Sequence, residues 1–420
     1  MFHSIGGCLF LAAPIVLGAS LLAWFPKYRR FRWRSLAVYL VVMSGLIWAA
    51  LEVVAYIASA QVVLTEIPLI LWFTIAWRLA WELWAQTVGH LGDKWIRWGR
   101  LRRRQGRPMP LWIGLIPIGR AGLTALVFFS LFLSTVVTHR CKLIDGQDPL
   151  STFDMPFDHV RIPTPDGLVL DGWFIPHDPP SERTILICHG AGANKGNFIW
   201  FLGPLANHGY NVMFFDFRAH GGSDGRTTTY GIRERTDVMA AVDWLELRRP
   251  QLARVIVGLG SSQGSMALAL AAADEPRIDA VILDSPFVSP RDLVHGKARC
   301  VPVLGPLMAD LLLAEVSVQT GTDFFRVSAE EAVRRLKSRP VMVIHGDGDF
   351  VMPRSHAQRL HDAAAGPREI WFGPGPHSNI ITESPNEYAD RVLRFLDEHL
   401  GPAPRRARRA HSRPVATDAG

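Results

Sequence analysis

The pentapeptide Gly260-Ser261-Ser262-Gln263-Gly264 joins the apolar run 254–259 to the helix-like stretch 265–273. That junction commits the chain to a strand–turn–helix unit with a serine at the carboxyl end of the strand. Glycines two residues to either side of Ser262 let the backbone bend sharply and keep bulk away from its hydroxyl. Ser261 and Ser265 lack such a flanking pair, so only Ser262 fits the register of a nucleophile elbow. A Gly/Ser turn before a helix is also an ordinary structural feature. The functional reading therefore depends on what the rest of the chain supplies.

A serine hydroxyl needs a histidine base, and the base needs a carboxylate to fix its tautomer. Downstream, the strand-like Pro340-Val-Met-Val-Ile344 runs into His345-Gly-Asp-Gly-Asp-Phe-Val-Met-Pro353, which sets Asp347 and Asp349 on the loop past a strand end. Another strand candidate, 368–372, leads into Gly373-Pro-Gly-Pro-His377-Ser-Asn379. A histidine on a Gly/Pro loop beyond a strand is a better base candidate than His356, His361 or His399, whose polar helical patterns read as solvated faces. Upstream, Thr184–Cys188 leads into His189-Gly-Ala-Gly192, where glycines let main-chain N–H groups approach a developing oxyanion. The expected donors are the N–H groups of Ala191 and Gln263, with His189 ordering its loop. The spacing of Gly190-Ala-Gly-Ala-Asn-Lys-Gly196 fits neither a P-loop nor a dinucleotide fingerprint.

In this order the motifs resemble the α/β-hydrolase superfamily over about residues 157 to 400. The resemblance rests on His189-Gly190, Asp216-Phe-Arg-Ala-His-Gly-Gly-Ser-Asp-Gly225, the elbow, Asp284-Ser-Pro-Phe287, the Asp349 loop and the His377 loop. It implies a triad of Ser262, His377 and Asp349, with Asp347 shaping the turn and Asp284 an alternative acid. Strand candidates at 158–163 and 168–175, joined by Pro165-Asp166-Gly167, read as a hairpin. Later ones near 184–188, 212–216, 254–260, 280–284, 340–344 and 368–372 alternate with helical patterns. The expected fold is α/β, a mostly parallel sheet with helices on both faces. The excursion 288–339 reads either as a small cap over the acyl pocket or as ordinary packing helices.

The first 140 residues have another character. Apolar stretches at about 5–25, 36–60, 67–88 and 121–138 approach the roughly 20 residues that span a bilayer as helix, so four transmembrane helices are expected. Ten of the 14 tryptophans precede residue 113, as suits interface anchors. Lys27, Arg29, Arg30, Arg32 and Arg34 follow the first stretch, and Lys94, Arg97, Arg100, Arg102, Arg103, Arg104 and Arg107 follow the third. Basic loops stay inside, so both termini and the hydrolase are expected on the extracytoplasmic side, an orientation that losing one span would reverse. Glu52 and Arg78 lie at similar depths and could pair, with Glu82 one turn from Arg78.

Residues 141–156 read as a linker, 157–401 as the hydrolase and 402–420 as a disordered basic tail. The net charge of +7 does not point to nucleic acid, because residues 141–401 hold 25 basic and 33 acidic side chains and the excess sits elsewhere. No Cys/His spacing suits a metal, and no cofactor is expected. Cys8 and Cys188 read as packed thiols, and Cys141 and Cys300 as a pair that could join in an oxidising compartment. The resulting expectation is a membrane-anchored serine esterase acting on lipidic or small esters in contact with membrane lipids. A peptidase or amidase with the same triad, or a silent scaffold or sensor, are the alternatives.

Overall fold

The computed structural model of the 420-residue chain describes residues 60–62, 92–108, 110–139, 142–301 and 304–402. The expected spans 5–25, 36–60 (Ala60 apart) and 67–88, with Glu52, Arg78 and Glu82, lie outside the described residues. So do Cys8, Cys141 and the tail beyond residue 402.

Strand β1 (Ala60–Val62), helix α1 (residues 92–104), helix α2 (Leu111–Thr138), strand β2 (Leu143–Asp145) and helix α3 (Pro149–Phe153) precede the main body. Strands β1 and β2 pair antiparallel, with Val62 opposite Leu143. The linker at 141–156 is therefore partly structured, and Asp148 caps α3 by accepting the Ser151 N–H.

The body opens with the hairpin β3 (Asp158–Pro163) and β4 (Val169–Ile175), then β5 (Arg183–Cys188), a 3₁₀ segment Lys195–Phe201, α4 (Leu202–Asn207) and β6 (Asn211–Phe215). It continues through α5 (Glu234–Arg248), β7 (Val255–Ser261), α6 (Gln263–Asp274) and β8 (Ile278–Asp284). The excursion carries α7 (Pro290–Ala298), α8 (Gly305–Thr320) and α9 (Ala329–Arg334). The chain then returns as β9 (Val341–Gly346), α10 (Arg354–Ala363), β10 (Arg368–Gly373), α11 (Ile380–Glu383) and α12 (Pro385–Leu400).

Eight strands form one sheet in the order β10-β9-β8-β7-β5-β6-β4-β3, parallel from β10 through β6 and antiparallel at β4 and β3. The central strands are unbroken apolar runs because both of their faces are covered. Leu186, Met213 and Val281 join a core on one face with α5, α6, α9 and α10. Ile185, Val212, Val257 and Ile344 join a second core on the other face, closed by α12 through Tyr388, Val392, Phe395 and Leu396. That last set recurs at helical spacing on one side of α12, which is why its polar residues face outward. Helix α6 lies close to β7 because the strand carries a glycine at the contact: a Cβ at Gly258 would come within 2.3 Å of Leu268 Cδ1.

Helix α9 is a packing helix, with Ala329, Ala332 and Val333 in the core, whereas α7 and α8 form an outlying pair that packs on itself and on α2. The fourth expected span, 121–138, falls within α2. Among the described residues no helix is long and apolar enough to cross a membrane. In α2, Ser130, Ser134 and Thr138 recur every four residues and form a polar edge turned to α8. Ser130 donates to Glu315 Oε2 at 2.7 Å, and Gln319 Nε2 donates to Ser134 Oγ at 2.8 Å.

Candidate active site

Every motif residue singled out in the sequence sits where a parallel strand ends. At the end of β7 the chain turns through Ser262 with φ 53° and ψ −111°, a conformation that side chains with a Cβ rarely adopt. The turn is held from the neighbouring strand: the Ser262 N–H donates to the Asp284 carbonyl at 2.8 Å. The flanking glycines are required by contact as well as by conformation. A Cβ on Gly264 would lie 2.1 Å from the Cys188 carbonyl oxygen, and one on Gly260 would lie 2.4 Å from the Gly264 carbonyl oxygen. The elbow is thus pressed backbone to backbone against the end of β5, and Gly190 stands directly beside Ser262.

His377 Nε2 stands 2.9 Å from Ser262 Oγ, and His377 Nδ1 stands 2.7 Å from Asp349 Oδ2. The side chains of both His377 and Asp349 are buried. Asp349 Oδ1 accepts the N–H groups of Val351 and Met352, each at 2.8 Å, so each carboxylate oxygen has a defined task. The acid and histidine loops are locked together by main-chain bonds from Asp347 N–H to the Gly373 carbonyl and from Gly348 N–H to the Gly375 carbonyl. A Cβ on Gly346 would meet the Gly375 oxygen at 2.5 Å, which is why glycines recur on both loops. Asp347 points outward to Arg354 at 2.8 Å.

Asp284 occupies the end of β8, where an alternative acid was expected, but its oxygens accept from Ser285 at 2.9 Å and Tyr388 at 3.1 Å. Full burial pushes its carboxyl up to about 6 and the Tyr388 phenol well above its usual range. Ser285 in turn accepts the Ser378 N–H at 2.9 Å, and Ser261 donates to Ser378 Oγ at 2.9 Å. Asp284 and Ser261 thus brace the residue after His377. Ser265 turns its hydroxyl onto the Gly260 and Asp284 carbonyls. Both control serines are engaged in structural bonds.

On the β5 side, His189 Nε2 accepts the Phe217 N–H at 3.0 Å while Nδ1 donates to the Gly190 carbonyl at 2.8 Å. Burial holds its pKa well below the ordinary value, so it orders the loop in its neutral form. Lys195, at the end of the same loop, escaped the sequence reading. Its Nζ reaches Asp171 at 2.6 Å and Asp216 at 2.7 Å, all three side chains being buried. A lysine in a Gly-rich loop was visible, but its partners lie on β4 and after β6. His356, expected on a solvated face, is buried instead, its Nδ1 accepting the Val288 N–H at 3.2 Å.

Cys188 is buried and desolvation raises its thiol pKa, whereas Cys300 is exposed. Among the described residues no group of three or more His, Cys, Asp or Glu side chains could hold a metal ion.

Comparison with known proteins places this geometry in a family. Residues 179–337 match the family described as serine aminopeptidase, S33. An uncharacterised protein of Mycobacterium tuberculosis (strain ATCC 25618 / H37Rv) is 31% identical over 242 residues, covering 57% of this chain and 79% of its own. YqkD of Bacillus subtilis (strain 168), also uncharacterised, is 29% identical over 303 residues, covering 67% of this chain and 96% of its own. Among solved structures, the Pyrococcus furiosus esterase Pf2001 in space group P21 superimposes with a TM-score of 0.52 at 25% identity, covering 62% of this chain and 98% of that one. The chain belongs to the α/β-hydrolase superfamily, and its chemistry is that of a hydrolase.

Proposed function

We propose that the protein is a membrane-anchored serine esterase that cleaves carboxylic esters, lipidic ones foremost, through an acyl-enzyme. The observation that carries this reading is the continuous chain from Ser262 Oγ through His377 to Asp349, at 2.9 and 2.7 Å. Ser262 Oγ attacks the ester carbonyl carbon while its proton passes to His377 Nε2. The oxyanion is held by the N–H groups of Ala191 and Gln263. The C–O bond to the alcohol breaks as His377 returns the proton to the leaving oxygen. Water then adds with the same base, and Ser262 departs with the proton back on Oγ. Asp349 orients the imidazole and stabilises the imidazolium that forms.

A peptidase using the same triad is the second reading, favoured by the description of the matching family. An aminopeptidase needs a negative group for the substrate's ammonium. The buried carboxylates around the elbow are committed elsewhere: Asp171 and Asp216 to Lys195, Glu234 to Thr228, Thr229 and Gly231, and Asp284 to Ser285 and Tyr388. That distribution favours a neutral ester, as does the likeness to a solved esterase. A silent scaffold or sensor is disfavoured by the complete Ser-His-Asp arrangement.

Attachment to the bilayer is assigned to the apolar segments 5–25, 36–60 and 67–88, and proximity to lipid favours acylglycerol or lysophospholipid substrates. Placement of the hydrolase outside needs an even number of crossings before residue 143, and these three segments alone give the opposite side. The test is turnover of p-nitrophenyl and acylglycerol esters against aminoacyl-p-nitroanilides, with Ser262→Ala as the blank. Ester turnover above that blank with idle anilides is expected, and the reverse preference would transfer the assignment to the peptidase.

A further inference from the structure

The two oxyanion donors come from loops far apart in sequence, yet both loops are tied to one short stretch outside the main sheet. On the elbow side, the Thr228 N–H donates to the Thr138 carbonyl at 2.8 Å, where α2 ends. The Thr228 hydroxyl, fully buried, stands 2.9 Å from Gln263 Oε1 and 2.9 Å from Glu234 Oε1. On the β5 side, Asn194 Nδ2 donates to the Leu143 carbonyl at 3.2 Å, while Asn194 Oδ1 accepts the Gly196 N–H at 2.8 Å and so caps the turn that closes the loop carrying Ala191. Between these ties, Lys142 Nζ donates to the Ser223 carbonyl at 2.5 Å.

We infer that Thr138 at the end of α2, together with Lys142 and Leu143 at the start of β2, acts as a strap that sets the relative position of the Ala191 and Gln263 N–H groups, and that Thr228 and Asn194 are positioning residues for the hydrolase. The inference rests on the serine-hydrolase reading above. An oxyanion hole stabilises charge only when both donors are fixed at about 2.7–3.1 Å from the developing oxygen. Here neither loop is held by the sheet alone. The strap is itself seated by α2, which is docked on α8 through Ser130 with Glu315 and through Gln319 with Ser134. The N-terminal region is thereby coupled mechanically to the catalytic step.

The test uses full-length protein in detergent carrying Thr228→Val, Thr228→Ser, Asn194→Ala or the undocking pair Ser130→Ala with Gln319→Ala. Because the donors act on the transition state, Thr228→Val is expected to lower kcat about tenfold or more with KM unchanged, and Thr228→Ser to restore it. The undocking pair is expected to move kcat the same way. A second readout does not depend on chemistry: hydrogen–deuterium exchange in peptides 188–196 and 224–234 is expected to quicken in the undocking pair, with peptide 254–259 unchanged. Unaltered kcat and exchange in folded Thr228→Val and in the undocking pair overturns the strap. A wild type that turns over no ester while the exchange coupling persists counts against the hydrolase reading and leaves the strap standing.

Discussion

The strain at Ser262 yields a prediction whose sign is opposite to ordinary experience. At φ 53° and ψ −111°, a residue with a Cβ sits in a sparsely populated region, at a cost of about 1–3 kcal/mol. Replacing Ser262 by Ala and by Gly removes the hydroxyl and its bond to His377 in both variants. The backbone bonds from Ser262 N–H to Asp284 and from Met266 N–H to the Ser262 carbonyl survive in both. The two differ only by a Cβ. At an unstrained position Gly is less stable than Ala by roughly 0.5–1 kcal/mol because its unfolded chain is freer. Here relief of strain offsets that loss, leaving Gly ahead by about 1 kcal/mol, which for a hydrolase of this size is roughly 2–4 °C in Tm. Thermal melting of the two purified variants in the same detergent reads the difference. Ser262→Gly melting below Ser262→Ala would refute the strain argument.

Two further outcomes follow from contacts at the same end of the sheet. Gly264→Ala places a Cβ 2.1 Å from the Cys188 oxygen and forces the elbow off β5, so kcat is expected to fall about 100-fold as the reacting atoms shift by an ångström, whereas Gly296→Ala on α7, with open space around it, leaves kcat unchanged in the same ester assay. Asp284, pushed up to about 6 from 3.8, stabilises the fold fully below the lower value and loses that contribution as pH rises through the upper one. Urea unfolding of wild type against Asp284→Asn is therefore expected to show wild type losing about 2 kcal/mol relative to the variant between pH 4 and pH 7. A difference independent of pH would mean that Asp284 is not held protonated.

The sheet was legible because its central strands are unbroken apolar runs ending in Gly-rich turns, a pattern that buried parallel strands produce and surface strands do not. Ser262 was legible by the local geometry that two glycines permit, and His377 by its place past a strand end. Asp349 was separated from Asp347 only through the family resemblance. In the structure the distinction is physical, since Asp349 Oδ1 is tied to two backbone N–H groups while Asp347 faces Arg354. What stayed hidden depends on partners remote in sequence. Lys195 meets Asp171 and Asp216, Thr228 meets Thr138 and Gln263, and His356 meets Val288, 68 residues away. Polar side chains of this kind read as solvated until the fold supplies the group that buries them. For the same reason 121–138 read as a span from its apolar content, although its serines and threonine align to face α8.

The central claim is that Ser262 is a nucleophile activated by His377, and the most direct measurement is covalent labelling by a fluorophosphonate probe in detergent. Wild type and Ser261→Ala, which spares the triad, should label. Ser262→Ala and His377→Ala should not. Folded wild type that fails to label, or Ser262→Ala that labels as wild type does, would contradict the account.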